Sequence, residues 1–231
     1  MKNLFKLITT LLFLTVAAHA PAAVIDDNYI GSDDHGYGDR IGVSRYEVQN
    51  MDVSFASGFM TVRVNTNFSE AADPYGIQFG DLFISSNGWN PNGSAPYMSD
   101  NAATGEDWEF VFDTSAGSLF GGDFSINLSE DLINPAWTFR NGQEVQRRDG
   151  GTALSGSAVD LSHAGAGGYV EYNILLSSLG IASLDEIGLK WGMSCANDTI
   201  EGAVSVPEAS SLSLLAIALL GLGVVARRKR D

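Results

Sequence analysis

The chain has 231 residues, with 28 acidic side chains against 13 basic ones and a formal net charge of −15 at pH 7. Setting aside Lys2, Lys6, Arg227, Arg228, Lys229, Arg230, Glu208 and Asp231 at the two ends leaves seven cations against 26 anions, a net of −19. Such a surface repels nucleic acid and anionic membranes, and suits hard cations or simple solubility outside the cell. With Cys195 as the single cysteine, an internal disulfide is excluded.

Residues 1–22 open with two lysines, continue with a short apolar stretch and end in small residues (MKNLFKLITTLLFLTVAAHAPA). This is the layout of a secretory signal peptide, and the apolar part is too short for a stable anchor. Two cleavage registers compete: Ala18-His19-Ala20, which would leave Pro21 after the cut, and the preferred Ala20-Pro21-Ala22, which leaves Ala23 first. About 180 residues then separate this segment from the C-terminal one, enough for one domain, 23–205, with a substantial core.

From Ala23 to Arg45 the chain reads as a loop rich in Gly and Asp. Strand signals follow. Val53 and Phe55, then Met60, Val62 and Val64, alternate with polar residues about an Ala-Ser-Gly turn, which predicts a hairpin with one buried face. Leu82–Ser86 is a strand entered through Gly80-Asp81. Trp108, Phe110 and Phe112 are expected to share a face, and Phe124, Ile126 and Leu128 repeat the period. Asn141-Gly142 predicts a tight hairpin joining 137–140 to 144–147. Tyr169–Leu175 is a strand with Val170, Tyr172 and Ile174 on one face, and Ser177–Gly180 a single helical turn. Ile187, Leu189, Trp191, Met193 and Cys195 form the most regular alternation. With no helical period long enough for a core helix and eight to ten strands divided by polar turns, the fold expected is all-β: an antiparallel β-sandwich of jelly-roll type.

The C-terminal segment, 206–231, begins Val206-Pro207-Glu208-Ala209, continues apolar over 212–226 and ends Arg227-Arg228-Lys229-Arg230. A helix of about 15 residues spans about 22 Å, short of the roughly 30 Å hydrocarbon core. Snorkelling arginines and local thinning let it span marginally, as a transmembrane helix with its cations on the cytoplasmic side. The competing reading, a buried core helix, sits poorly with the terminal cation cluster.

These residues carry a resemblance. Val206-Pro207-Glu208-Ala209, the apolar run and the basic end together resemble the PEP-CTERM sorting signal, also labelled the ice-binding protein C-terminal domain. That signal is read by exosortase, a membrane protease-transpeptidase of Gram-negative bacteria that make extracellular polysaccharide. Ala209 stands where the family has a second proline. The stretches I-G-V-S-R-Y-E-V-Q-N-M-D-V-S-F, G-D-L-F-I-S-S-N-G-W and C-A-N-D-T-I-E-G are similar to a recurring body found in front of such tails, which implies fold and location and no catalytic residues. The resemblance implies export, transient membrane retention through the tail, cleavage near Pro207 by an exosortase-like enzyme, and release or attachment at the cell surface or matrix. The expected partner is extracellular polysaccharide, and the protein is expected to be non-catalytic. Alternatives are a polysaccharide-active enzyme (glycosidase or lyase) and an ice-binding or structural coat protein, although the chain shows no Thr-x-Thr ladder.

Three constellations are candidates for chemistry. Asp26, Asp27, Asp33, Asp34 and Asp39, set among glycines, offer oxygen ligands for a structural calcium ion, with Asp81, Asp107 or Asp113 as further candidates from other strands. The spacing is not that of an EF-hand, and solvated loop acids are the competing reading. Trp89, in a polar Gly-rich loop, offers a plane for a sugar ring, with Asn87, Asn90 and Asn92 as hydrogen-bonding neighbours; the alternative is a Trp folded down over the sandwich end. Glu106, Asp107, Glu109 and Asp113 are the acids a glycosidase would draw on. Cys195, with only His35 and His163 beyond the leader, reads as a buried apolar residue rather than a nucleophile.

Overall fold

Alternating apolar and polar residues form strands because a pleated chain sends successive side chains to opposite faces, and this chain folds as two antiparallel sheets. The computed structural model describes residues 22–32, 36–133, 140–165, 167–180 and 186–206. The signal peptide and the tail from Pro207 onward lie outside the described residues, and one compact unit runs Pro21–Val206. The described residues hold eleven strands: β1 Ala23–Asp26, β2 Val48–Ala56, β3 Phe59–Thr66, β4 Leu82–Ser85, β5 Phe110–Asp113, β6 Ser118–Leu128, β7 Glu144–Leu154, β8 Ala158–Asp160, β9 Gly168–Leu175, β10 Ile187–Gly192 and β11 Thr199–Val204. Among them the only α-helix is one turn, α1, Ser129–Leu132. No helix among the described residues is long and apolar enough to cross a membrane.

The five-stranded sheet has the order β1-β2-β3-β9-β8 and the six-stranded sheet the order β11-β10-β4-β5-β6-β7. The β2–β3 hairpin forms as the alternation predicts. Ser57 and Gly58 both take left-handed backbone (φ 52° and 83°), the two-residue turn whose twist matches that of the flanking strands. Met51, Val53, Phe55, Met60, Val62, Val64, Val170, Tyr172 and Ile174 point into the core. The opposite face carries cross-strand polar pairs: Arg63 on Glu171 at 2.7 Å, Thr61 on Asn173 at 2.9 Å and Asn65 on Asp52 at 2.8 Å. From the other sheet, Trp191 donates its indole N–H to the Tyr172 hydroxyl at 2.8 Å, and Phe112 meets the Tyr172 ring edge-on at 5.4 Å. The buried faces of the two sheets therefore meet at Tyr172.

The six-stranded sheet departs from a single buried face. Lys190, Phe83 and Val111 stand in register on the face away from Tyr172, with Glu201 opposite Lys190, and all four are buried. Trp108 packs on Phe83 at 6.1 Å, Tyr29 lies beneath the Lys190 ammonium, and the Trp89 indole reaches Glu201. The segment 86–108 and Tyr29 thus form a further layer over this face. That corrects the expected Trp108–Phe110–Phe112 strand: β5 begins at Phe110, and Val111 on its other side is buried as deeply as Phe112. Most of the first arm of the hairpin expected at Asn141-Gly142 lies outside the described residues. Gly142 does turn (φ 79°), but Glu144–Leu154 pairs along β6, with Leu128 opposite Glu144; residues 134–139 lie outside the described residues. Ser177–Gly180 is the single turn expected, a 3-10 turn at Leu176–Leu179 closed by Gly180 in left-handed backbone. Gly80 is held to glycine by crowding, since a Cβ there would lie 2.0 Å from the Gly192 carbonyl oxygen.

Candidate functional site

Two clusters of buried charge stand out. The first draws on three segments. Asp27 follows β1, Asp39 lies in the Gly-rich loop before β2, and Asp198 ends the turn between β10 and β11. One carboxylate oxygen from each lies within 4.8 Å of the other two. Asp198 is fully buried; its Oδ2 accepts the Val48 N–H at 2.7 Å. Its Oδ1, both oxygens of Asp27 and Oδ1 of Asp39 are shielded from solvent and have no hydrogen-bond partner. Arg140, also fully buried, extends its guanidinium to the carbonyls of Gly38 at 2.6 Å, Asp39, and Ala196 at 3.4 Å. Burial pushes the Asp27 and Asp198 carboxyls up; neighbouring acids add to this, and the Arg140 charge opposes it.

Of the five acids read as calcium ligands from sequence, Asp27 and Asp39 come together. Asp26 is exposed and outside the trio, and Asp33 and Asp34 lie outside the described residues. Asp81 and Asp113 are committed elsewhere. Asp81 accepts the Thr114 and Arg147 N–H groups at 2.9 and 2.6 Å, and Asp113 pairs with Arg147 at 2.9 Å. Asp107 is exposed. Asp198 was missed because its acid arrives from the other end of the domain. The only sequence signal for it was an Asn-Asp turn directly after the most regular strand.

The second cluster lies on the covered face of the six-stranded sheet. Lys190, 1% exposed, holds Glu144 at 2.6 Å, Glu201 at 3.1 Å and the Gln143 carbonyl at 3.0 Å. Despite burial, these two carboxylates hold the Lys190 ammonium well above its ordinary range. One cation facing two acids leaves one negative charge over. Burial pushes Glu201 up to about 7, with Lys190 and the Trp89 indole pulling the other way. Tyr29 continues the network, donating its hydroxyl to Asp100 at 2.9 Å.

Trp89 caps this cluster. Half-buried, it donates its indole N–H to Glu201 Oε1 at 2.8 Å and meets Tyr97 edge-on at 5.1 Å. Its loop is pinned by carboxylates. Glu186 accepts the Trp89 backbone N–H, Glu106 the Asn90 N–H at 2.6 Å, and Asp100 the Asn92 N–H at 2.8 Å. The Asn87 amide donates to Glu109 at 2.6 Å, and the Asn92 amide to the Ser99 carbonyl at 3.0 Å. The side-chain amides of Asn87 and Asn92 are therefore engaged by neighbouring groups, and the Trp folded over the sheet is the arrangement seen. Glu106 and Glu109 serve the same loop: Glu106 also accepts the Ser85 hydroxyl, and Glu109 the Ser86 N–H.

Cys195 is 1% exposed and its thiol is pushed up to about 12 by burial, far from the thiolate a nucleophile needs. His163 stacks on Tyr169 at 4.7 Å, away from it in sequence and partnered locally by Asp160; His35 lies outside the described residues. Compared with protein-family models, curated proteins and solved structures, the chain matches none.

Proposed function

We propose that this is an exported, non-catalytic β-sandwich of jelly-roll type. In this reading an exosortase-like enzyme sorts it through its PEP-CTERM-like tail, and it associates with extracellular polysaccharide at the cell surface or in the matrix. The observation that carries this reading is where the folded unit stops. β11 ends at Val204 and one compact unit runs to Val206, so Val206-Pro207-Glu208-Ala209 stands at the C-terminal boundary of that unit. A processing enzyme at the membrane needs an extended substrate, and a proline disfavours helix at the residue before it. The strongly acidic composition suits a soluble domain outside the cell.

The non-catalytic part rests on the use of the acids near Trp89. Glu106 accepts from Ser85 and Asn90, and Glu109 from Ser86 and Asn87, so both acids bond to the protein's own groups, whereas a glycosidase leaves two carboxyl groups facing a cleft. Deleting Ser211–Asp231 in the host is expected to abolish membrane retention and send the domain to the medium or periplasm. Mass spectrometry of the surface-bound protein is expected to show a C-terminus near Pro207. A mature product that retains its full tail would defeat the processing claim.

A further inference from the structure

The geometry points to a calcium site formed by Asp27, Asp39 and Asp198, at which one ion ties the N-terminal loop to the β10–β11 turn. Three acids close together do not by themselves make a site, because most such groups are solvated. Here the decisive feature is Asp198. It is fully buried, it is fixed by the Val48 N–H on one oxygen, and its other oxygen has no partner. A buried carboxylate oxygen left without a donor or cation is costly. The neighbouring Asn197 repeats the pattern, with its Oδ1 unpartnered at 9% exposure.

The donor set selects the ion. All three side chains offer hard oxygen and none offers sulfur or imidazole, which favours calcium or magnesium over zinc or copper. Oxygens on one calcium ion lie at most about 5 Å apart, given ligand distances of about 2.3–2.6 Å. The three carboxylates satisfy that limit, with one oxygen of each within 4.8 Å of the others. Magnesium prefers a near-ideal octahedron that keeps several waters, which suits a shielded, irregular trio less well. Charge has the right sign: three acids share the site with the Arg140 guanidinium, and a divalent cation opposes their mutual repulsion. Arg140 orients the loop carbonyls of Gly38 and Asp39.

The test is calcium binding by the intact chain, purified in mild detergent, stripped with chelator and titrated with calcium chloride by calorimetry and equilibrium dialysis. One ion per chain is expected, with a dissociation constant of about a millimolar or tighter, as extracellular calcium modules show. Asp198→Asn and Asp39→Asn are expected to weaken binding at least about tenfold, by analogy with the loss caused by disturbing even outer-shell partners of a metal. Asp26→Asn, outside the trio, is expected to leave binding unchanged. Because Asp198 also anchors Val48, its variant may be replaced by Asp39→Asn if it does not fold. No uptake by the wild-type chain at about ten times the upper millimolar limit overturns the site. So does wild-type affinity in the Asp39→Asn chain. A melting temperature that is indifferent to calcium and rises when Asp198→Asn is introduced also overturns it, because it shows that the acids share protons instead.

Discussion

Trp89 separates a structural cap from a sugar platform, and the structure sets the size of the effect. Its indole N–H meets a fully buried carboxylate at 2.8 Å, and hydrogen bonds to charged groups contribute about 1.5–3 kcal/mol. Truncating a buried Trp costs about 3–5 kcal/mol, and Trp89 is partly exposed, so its ring contacts contribute less than that. Trp89→Phe should therefore lose at least about 1.5–3 kcal/mol, since it keeps an aromatic ring but deletes the donor. Trp89→Ala should lose about 3–5 kcal/mol, near the full-burial range because donor and ring go together. At about 2–4 °C per kcal/mol for a domain of this size, the Ala variant melts about 10 °C lower.

The same pair of variants carries a pH signature. Burial raises Glu201 from its ordinary 4.5 to about 7, so its contribution to stability is full below the unfolded value and is lost as pH rises through about 7. The indole N–H favours the charged form, so it matters most where Glu201 is ionised. Trp89→Phe is thus expected to cost more at pH 8 than at pH 5. Thermal melts followed by circular dichroism at both pH values, paired with a pull-down on matrix polysaccharide, read every arm. If Trp89→Ala melts within about 2 °C of wild type, less than about 1 kcal/mol, the cap reasoning fails. A loss of polysaccharide binding in that stable variant would restore the sugar-stacking role.

Lys190→Met should cost about 3–5 kcal/mol in urea unfolding, because it leaves Glu144 and Glu201 buried without their cation, and the loss should shrink at acid pH as Glu201 takes up a proton. Cys195 should react with a thiol reagent at pH 8 only as fast as the chain opens, so its labelling rate should follow denaturant concentration; rapid labelling of the native protein would show the site is not closed.

The parts of the fold legible in the sequence are those with one wet face. In β2, β3 and β9, partners such as Arg63 and Glu171 or Thr61 and Asn173 lie on the face opposite the core, so the period of two reports burial directly. β10 shows where that logic stops. Its apolar residues were read correctly as core, but the alternate position, Lys190, reads from sequence as a solvent-facing lysine and is 1% exposed. What buries it is the segment 86–108 together with Tyr29, and a covering loop leaves no periodicity. The hint was a lone lysine between Leu189 and Trp191. The Asn141-Gly142 signal was likewise sound as a turn; it could not tell that β7 would pair along β6, because a dipeptide specifies the bend and not the partner.

The acidic site was half legible for a related reason. A Gly-rich loop with Asp27 and Asp39 suggests oxygen ligands, yet a ligand set is a property of the assembled chain. Here the assembly joins the first strand to the last. A Cβ at Gly202 in β11 would lie 2.6 Å from Cγ2 of Ile25 in β1, so these two strands touch because residue 202 has no side chain. One residue past β1 stands Asp27, and one residue before β11 stands Asp198. The contact that closes the two sheets thus also brings the two acids together, and Arg140 draws in the loop carrying Asp39. Closing this end places three acids near the Arg140 guanidinium, next to the contact that holds the last strand against β1. The folded end of the domain and its candidate cation site are one piece of architecture.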